Sequence, residues 1–137
     1  MLHLNIEKII QSSNLTLTKS RKQVLIAFLQ SSKPLSLKYL RSVVGKIDRV
    51  TLFRILSIFE QRGIIHSIRL DNGQNLYALC NHECDSNNHN HKHIHFQCTE
   101  CDDVSCLNIE NFPQIKLPNH TIHTLNINAS GICLNCS

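Results

Sequence analysis

Two Cys-x-x-Cys pairs, Cys98-x-x-Cys101 and Cys133-x-x-Cys136, carry the clearest chemistry in this chain. Each pair can turn two thiolates toward one point. Together they supply the four sulfurs of a closed tetrahedral zinc site, with the segment between them pinned as a loop. Such zinc contributes about 10–16 kcal/mol of apparent binding free energy in small zinc peptides at neutral pH, so a small β module can depend on it. A thioredoxin-type redox pair fits less well, because two pairs occur and neither opens a βαβ unit. The seven cysteines are an odd number, and the N-terminus has no charged head followed by an apolar run. Both facts point to metal thiolates in a reducing compartment rather than to a disulfide framework.

The histidines come next. His89, His91, His93 and His95 recur at every second position, so on an extended strand all would face one way and neighbouring pairs could grip one ion. His93 and His95, nearest the strand that follows, read as a defined site. For His89 and His91 a defined site and an unspecific metal sponge both stay open. The roles of Cys84 and Cys106 are open as well, since free cysteines are often merely buried. Catalysis finds little support. A zinc deaminase needs His-x-Glu and Pro-Cys-x-x-Cys, whereas His82 and Glu83 are adjacent here and Gln97 precedes Cys98. No Gly-rich phosphate loop and no His-Glu-x-x-His occurs. The expectation is a protein that is not an enzyme.

The charge pattern separates this ligand-rich region from the rest. Residues 1–70 hold twelve Lys/Arg against three Asp/Glu, or +9; residues 71–137 hold two Lys against seven acids, or −5, which together make the net +4. All seven cysteines and seven of the nine histidines lie at or beyond Cys80. A basic half poor in ligands joined to an acidic half rich in them reads as a polyanion binder followed by a metal binder. We therefore divide the chain at residues 1–80 and 81–137. No run reaches the ~18 apolar residues of a spanning helix, and a cytoplasmic protein without membrane association is expected.

The first half must position its cations on helices. Leu4, Ile6, Ile9 and Ile10 predict a short amphipathic helix. Thr18 can cap a second with Val24, Leu25, Phe28 and Leu29 on its apolar face. Pro34 breaks the chain, and Ser36 can cap a third helix carrying Leu37, Leu40, Val43 and Val44. After the Gly45-Lys46-Ile47 turn, Asp48 can cap a fourth that stops at Gly63. Two apolar runs, residues 64–70 and 75–80, flank Asp71-Asn72-Gly73-Gln74, which is hairpin chemistry. Helices followed by a two-stranded ribbon give the winged-helix order. In the second half, the polar tract of residues 81–95 builds no core, and residues 93–98, 104–107, 121–125 and 126–129 read as strands. That module is expected to be small α/β or mostly β.

The fourth helix holds a local conflict. Leu52, Ile55, Leu56 and Phe59 form one core-facing stripe. The opposite face shows Arg49, Phe53, Arg54 and Ser57. A cation in the first turn opposes the helix dipole, and an exposed ring is costly in water. Both become sensible if this end of the helix enters a major groove, where arginines meet phosphates or guanine edges and a ring touches thymine methyls.

These residues resemble the ferric uptake regulator (Fur) family. Leu17-Thr18-x-x-Arg21 with Val24-Leu25, the stretch Val50-Thr51-Leu52-Phe53-Arg54-x-Leu56, and Gly63-Ile64-Ile65 resemble its DNA-binding half. The histidine-rich segment, Cys98-x-x-Cys101 and Gly131-Ile132-Cys133-x-x-Cys136 resemble its dimerisation half. The family pattern at the recognition helix is Ala-Thr-Val-Tyr-Arg-Thr-Leu. This chain has Val50, Leu52 and Phe53 where Ala, Val and Tyr are usual, so the ring is kept and a hydroxyl is lost.

The resemblance implies an α+β homodimer: an N-terminal winged-helix DNA-binding domain, then a small α/β dimerisation domain with a four-cysteine zinc site. It also implies a second metal that acts as sensor. The zinc-sensing (Zur) branch takes its sensor ligands from positions held here by His66, Cys80, His93 and His95. A thiolate with imidazoles suits Zn2+ better than sites containing carboxylates, although Fe2+ or another divalent ion is the alternative. Extra residues between Cys80 and His93 mean that His82, Cys84, His89 or His91 could displace one of these ligands, with His89 and His91 also possible additional ones. His123 is close to a further family ligand position but offset from it. The histidine that iron- and peroxide-sensing branches place near the third helix is replaced by Pro34-Leu35-Ser36. Lys19, Arg21, Arg49, Thr51, Phe53 and Arg54 are the expected DNA-contacting residues.

The function this implies is a metal-dependent, zinc-responsive repressor that binds double-stranded operator DNA, an AT-rich inverted repeat, and controls metal-uptake genes. Ligands drawn from both halves can be satisfied together only in a closed form. Closure would set two recognition helices about 34–36 Å apart. Driving such a switch from 1:99 to 99:1 takes about 10⁴-fold tighter metal binding to the closed form. Two alternatives stay open: the same architecture sensing Fe2+, Ni2+ or peroxide, and, from another class, a zinc-storage or metal-delivery protein.

Overall fold

A computed structural model of the chain describes residues 2–79, 93–109, 111, 113–123 and 125–137. The chain divides into two compact units, Met1–His89 and Asn90–Ser137. The first contains helices α1 (Leu2–Ser12), α2 (Lys19–Leu29), α3 (Leu37–Val43) and α4 (Arg49–Gln61), with strands β1 (Leu35–Ser36), β2 (Ile65–Arg69) and β3 (Asn75–Leu79).

Each of the last three helices starts where its capping residue dictates. The Thr18 hydroxyl accepts from the Arg21 amide, the Ser36 hydroxyl from the Tyr39 amide, and the Asp48 carboxylate from the Thr51 amide, at 3.2, 3.1 and 3.3 Å. Each bond satisfies a donor that the first turn would otherwise leave open. Helix α4 ends at Gly63, whose φ of +73° is the left-handed conformation that a helix terminus of this kind requires. The Leu52, Ile55, Leu56 and Phe59 stripe is buried as expected. It packs in one core with Ile6 and Ile10 of α1, Val24, Leu25 and Phe28 of α2, and Leu40 of α3.

The wing is the β2–β3 hairpin, in register from Ile65↔Leu79 to Arg69↔Asn75. Its turn is closed by the Leu70 amide bonding the Gln74 carbonyl at 2.9 Å, with Gly73 at φ +85°. Strand β1 has no local signal in the sequence: Leu35 and Ser36 pair antiparallel with Tyr77 and Leu76 of β3. Only a partner strand distinguishes these two residues from a loop. The first unit is thus a winged helix, with sheet order β1-β3-β2.

The second unit carries β4 (His93–Cys98), β5 (Val104–Asn108) and β6 (Asn128–Gly131) in the order β5-β4-β6. β5 runs antiparallel to β4, whereas β6 runs parallel to it, from His95↔Asn128 to Cys98↔Gly131. The expected strand over residues 121–125 does not form among the described residues, and the one expected at 126–129 lies two residues later. The physical reason is that β6 is placed by its hydrogen-bonding partner. The alternation Thr121-Ile122-His123 meets no partner strand and stays irregular. Among the described residues no helix is long and apolar enough to cross a membrane.

Candidate metal centre and nucleic-acid face

Parallel pairing of β4 with β6 builds the cysteine cluster. Both strands end level at Cys98↔Gly131, so the turn after β4 and the turn after β6 stand side by side. The Thr99 amide and hydroxyl both donate to the Gly131 carbonyl, at 2.8 and 3.1 Å, which locks the two turns together. In the first turn the Asp102 amide returns to the Cys98 carbonyl at 3.0 Å, with Asp102 at φ +61°. In the second, the Cys136 amide returns to the Cys133 carbonyl at 3.1 Å.

The sulfurs of Cys98, Cys101, Cys133 and Cys136 consequently lie within 4.8 Å of one another. Cys101 and Cys133 are 3.9 Å apart. That is far beyond a disulfide and close to the separation of about 3.8 Å between two sulfurs bonded tetrahedrally to zinc at ~2.3 Å. The Cys98 sulfur is buried and accepts backbone N–H bonds, including one from Cys133 at 3.4 Å. Donors from Cys101 and Cys133 bring its thiol down to about 6. Cys136 is pushed up to about 12 by the adjacent sulfurs of Cys133 and Cys101. Four thiols this close cannot all ionise unaided, and a divalent cation resolves the conflict. The donor set and its spacing fit Zn2+.

A second set of ligand-type residues lies on the β4–β5 face. His95 is only 5% exposed. Its Nδ1–H donates to the Asn128 Oδ1 at 3.3 Å, and in that tautomer Nε2 carries the lone pair. Burial lowers the pKa of this imidazole, against the opposing effect of Asn128. A neutral ring oriented through its other nitrogen is the form that binds metals. Cys106 is the direct cross-strand partner of His95, and its sulfur lies within 4.8 Å of a ring nitrogen. The Cys106 thiol is raised to about 11 by desolvation, although the residue as a whole counts as exposed; crowding is local to the sulfur. The sequence left Cys106 without a role. The one signal was its spacing from Val104, which puts both side chains on one face of a strand.

The other expected ligands are placed as follows. His66 sits on β2 opposite Ala78 and is 9% exposed. His93 begins β4, opposite Asn108. His123 is exposed in an irregular stretch. Cys80, His82, Cys84, His89 and His91 lie outside the described residues.

On the winged helix, Phe53 is 57% exposed despite its size, and Arg49 and Arg54 are exposed beside it on α4. Lys19 opens α2 in the exposed state. Arg21 is engaged with its own chain, its Nη1 donating to the Thr16 carbonyl at 2.8 Å. The Thr51 hydroxyl bonds the Asp48 carboxylate, which completes the cap and draws the Asp48 pKa down through the Thr51 side-chain and backbone donors.

The model of the "Ferric uptake regulator family" matches residues 12–135, nearly the whole chain and both units in order. This chain belongs to the ferric uptake regulator family. A ferric uptake regulation protein of Staphylococcus epidermidis is 33% identical over 135 residues, covering 94% of this chain and 92% of that one. Among solved structures, a zinc uptake regulator complexed with zinc and DNA superposes with a TM-score of 0.64 at 22% identity, covering 97% and 91% of the two chains. The Vibrio cholerae ferric uptake regulator superposes with a TM-score of 0.61 at 20% identity, covering 92% and 98%. Family membership makes the chain a metal-responsive transcription regulator, and the two structures share its fold.

Proposed function

We propose that the protein is a zinc-responsive repressor that binds operator DNA as a homodimer and controls metal-uptake genes in the cytoplasm. The observation that carries the reading is the donor chemistry on the β4–β5 face. An oriented, neutral imidazole faces a thiol within 4.8 Å, and a sulfur–nitrogen donor pair favours Zn2+ over ions that prefer carboxylates. In this proposal the regulatory ion is bound by His66, Cys80, His93 and His95, and Cys106 joins them. His89, His91 and His123 remain available as further ligands. The four-cysteine cluster holds a second, structural Zn2+.

On the DNA side, the exposed Phe53 ring between exposed arginines supports α4 as the reading helix. Arg49 and Arg54 supply phosphate or guanine contacts, and Phe53 an apolar contact to thymine methyls. Lys19, Arg21 and Thr51 complete the proposed set. The bonds that Arg21 and Thr51 make within their own unit give them a supporting part. An AT-rich inverted repeat is the proposed operator, matched to a two-fold dimer.

A second reading has its own support: the similar staphylococcal proteins are ferric uptake regulation proteins, so Fe2+ is the competing effector. The test is an anisotropy titration against an AT-rich inverted repeat upstream of a zinc-uptake gene, with structural zinc retained and Zn2+, Fe2+ or chelator added. Tight binding with Zn2+ alone, lost in Cys80→Ala and weakened in Cys106→Ser, is the expected result. Binding with Fe2+ alone transfers the function to iron. Absence of DNA binding under every condition returns the protein to metal storage or delivery.

A further inference from the structure

A second basic cluster lies beside the recognition helix and adds Lys38 and Arg41 to the Arg49 already assigned. Where α3 turns into α4, a cleft of about 620 Å³ opens, lined by Lys38 and Arg41 from α3, Gly45 from the turn, and Asp48 and Arg49 from the start of α4. All three cations are exposed, and among the described residues no carboxylate is paired with any of them. The one acid in the cleft is already committed, since Asp48 caps α4 through both the amide and the hydroxyl of Thr51. Asp48 stays ionised while it caps α4, so the cleft sets three cations against one carboxylate, and this net positive charge in a concave surface focuses the field on an anion.

The positions of two of these cations argue against a merely solvated face. Neither α3 nor α4 has an acid in its first turn. Lys38 and Arg49 stand there instead, where the helix dipole disfavours a cation. Arg49 belongs to both this cleft and the proposed reading face of α4, so the two surfaces are continuous. In a helix-turn-helix the helix before the reading helix crosses the DNA backbone. We propose that the α3–α4 cleft seats a phosphodiester of the DNA backbone at the edge of the groove that α4 enters, held by Lys38 and Arg41 beside Arg49. The proposal rests on the operator-binding reading above. Such contacts fix register and orientation and carry no base information.

The test measures affinity against salt. The full-length protein, zinc-replete, is titrated by anisotropy into the inverted repeat and into a mixed-sequence duplex of equal length, over a series of KCl concentrations. Each phosphate contact contributes about 0.9 to the slope of log K against log [salt], so losing the one phosphate per protomer lowers the slope by about 1.8 in a dimer changed in both copies, and Lys38→Ala or Arg41→Ala should each give part of that drop. Both variants should weaken binding to the two duplexes by the same factor, and the double variant should show the combined loss. Lys38→Arg and Arg41→Lys should restore the slope, with melting temperature and bound zinc unchanged throughout. Slopes equal to wild type overturn the cleft assignment alone. A loss confined to the inverted repeat, with the slope intact, also overturns it, because it marks base reading. If the wild-type protein binds neither duplex, the operator-binding reading falls and the cleft assignment with it.

Discussion

If Cys98, Cys101, Cys133 and Cys136 hold the proposed structural zinc, its removal should unfold β4, β5 and β6 while α1–α4 remain folded. The reasoning compares two cores. Among the described residues of the second unit, Cys98 and Val104 are the buried apolar side chains, whereas the first unit buries apolar residues from every one of its helices. Complete burial of a valine is worth about 1.5–3 kcal/mol. A structural zinc held by four thiolates contributes about 10–16 kcal/mol of apparent free energy, comparable to the entire net stability of about 5–15 kcal/mol typical of a protein. Among the described residues, the second unit has no other term of that size within a single chain. The assay is hydrogen exchange read by mass spectrometry, on zinc-replete protein and on protein chelated under reducing conditions. Peptides covering residues 93–98, 104–108 and 128–131 should go to full exchange after chelation, and peptides covering α2 and α4 should keep their protection. Cys98→Ser should reproduce the chelated pattern without chelator, because its sulfur is the buried one and accepts the Cys133 amide. Slow exchange persisting across β4–β6 in protein verified to be zinc-free would refute the argument and require a core that these residues do not supply.

Two further predictions follow from the packing and the thiol chemistry. Phe59→Ala removes a fully buried ring from the α4 stripe and should cost about 3–5 kcal/mol in urea unfolding of the first unit; a loss below about 1 kcal/mol would mean the ring is not in the core. Because Cys101 and Cys136 have raised pKa values, both are protonated at pH 7, and zinc uptake must expel at least two protons. Zinc affinity should therefore fall by at least about 100-fold per unit as pH drops through 7, and more steeply once pH passes below the value of about 6 for Cys98. Calorimetric titrations in buffers of different ionisation enthalpy count these protons, and a count near zero contradicts the thiol assignment.

What was legible from residue order alone is what depends on near neighbours. Thr18, Ser36 and Asp48 cap their helices through side chains that reach only three residues ahead. Gly63 and Gly73 mark the positions of positive φ, and the stripe through Leu52, Leu56 and Phe59 announces its own buried face. The two Cys-x-x-Cys pairs likewise declare their chemistry by spacing, and the exposed Phe53 between arginines could be anticipated because it violates the ordinary rule for a helix surface.

What only the tertiary structure decided depends on partners distant in sequence. β6 forms at Asn128–Gly131 rather than at the alternating residues before it because β4 offers its hydrogen bonds there. The same parallel register brings the second cysteine pair against the first. Leu35 and Ser36 become a strand because β3 lies beside them. Cys106 acquires a ligand's surroundings from the antiparallel register that sets it opposite His95, and Lys38 and Arg41 acquire a shared cleft from the α3–α4 turn. Local rules act over one turn of helix or one hairpin. Strand register and the convergence of side chains are chosen by long-range pairing, which no short window of sequence contains.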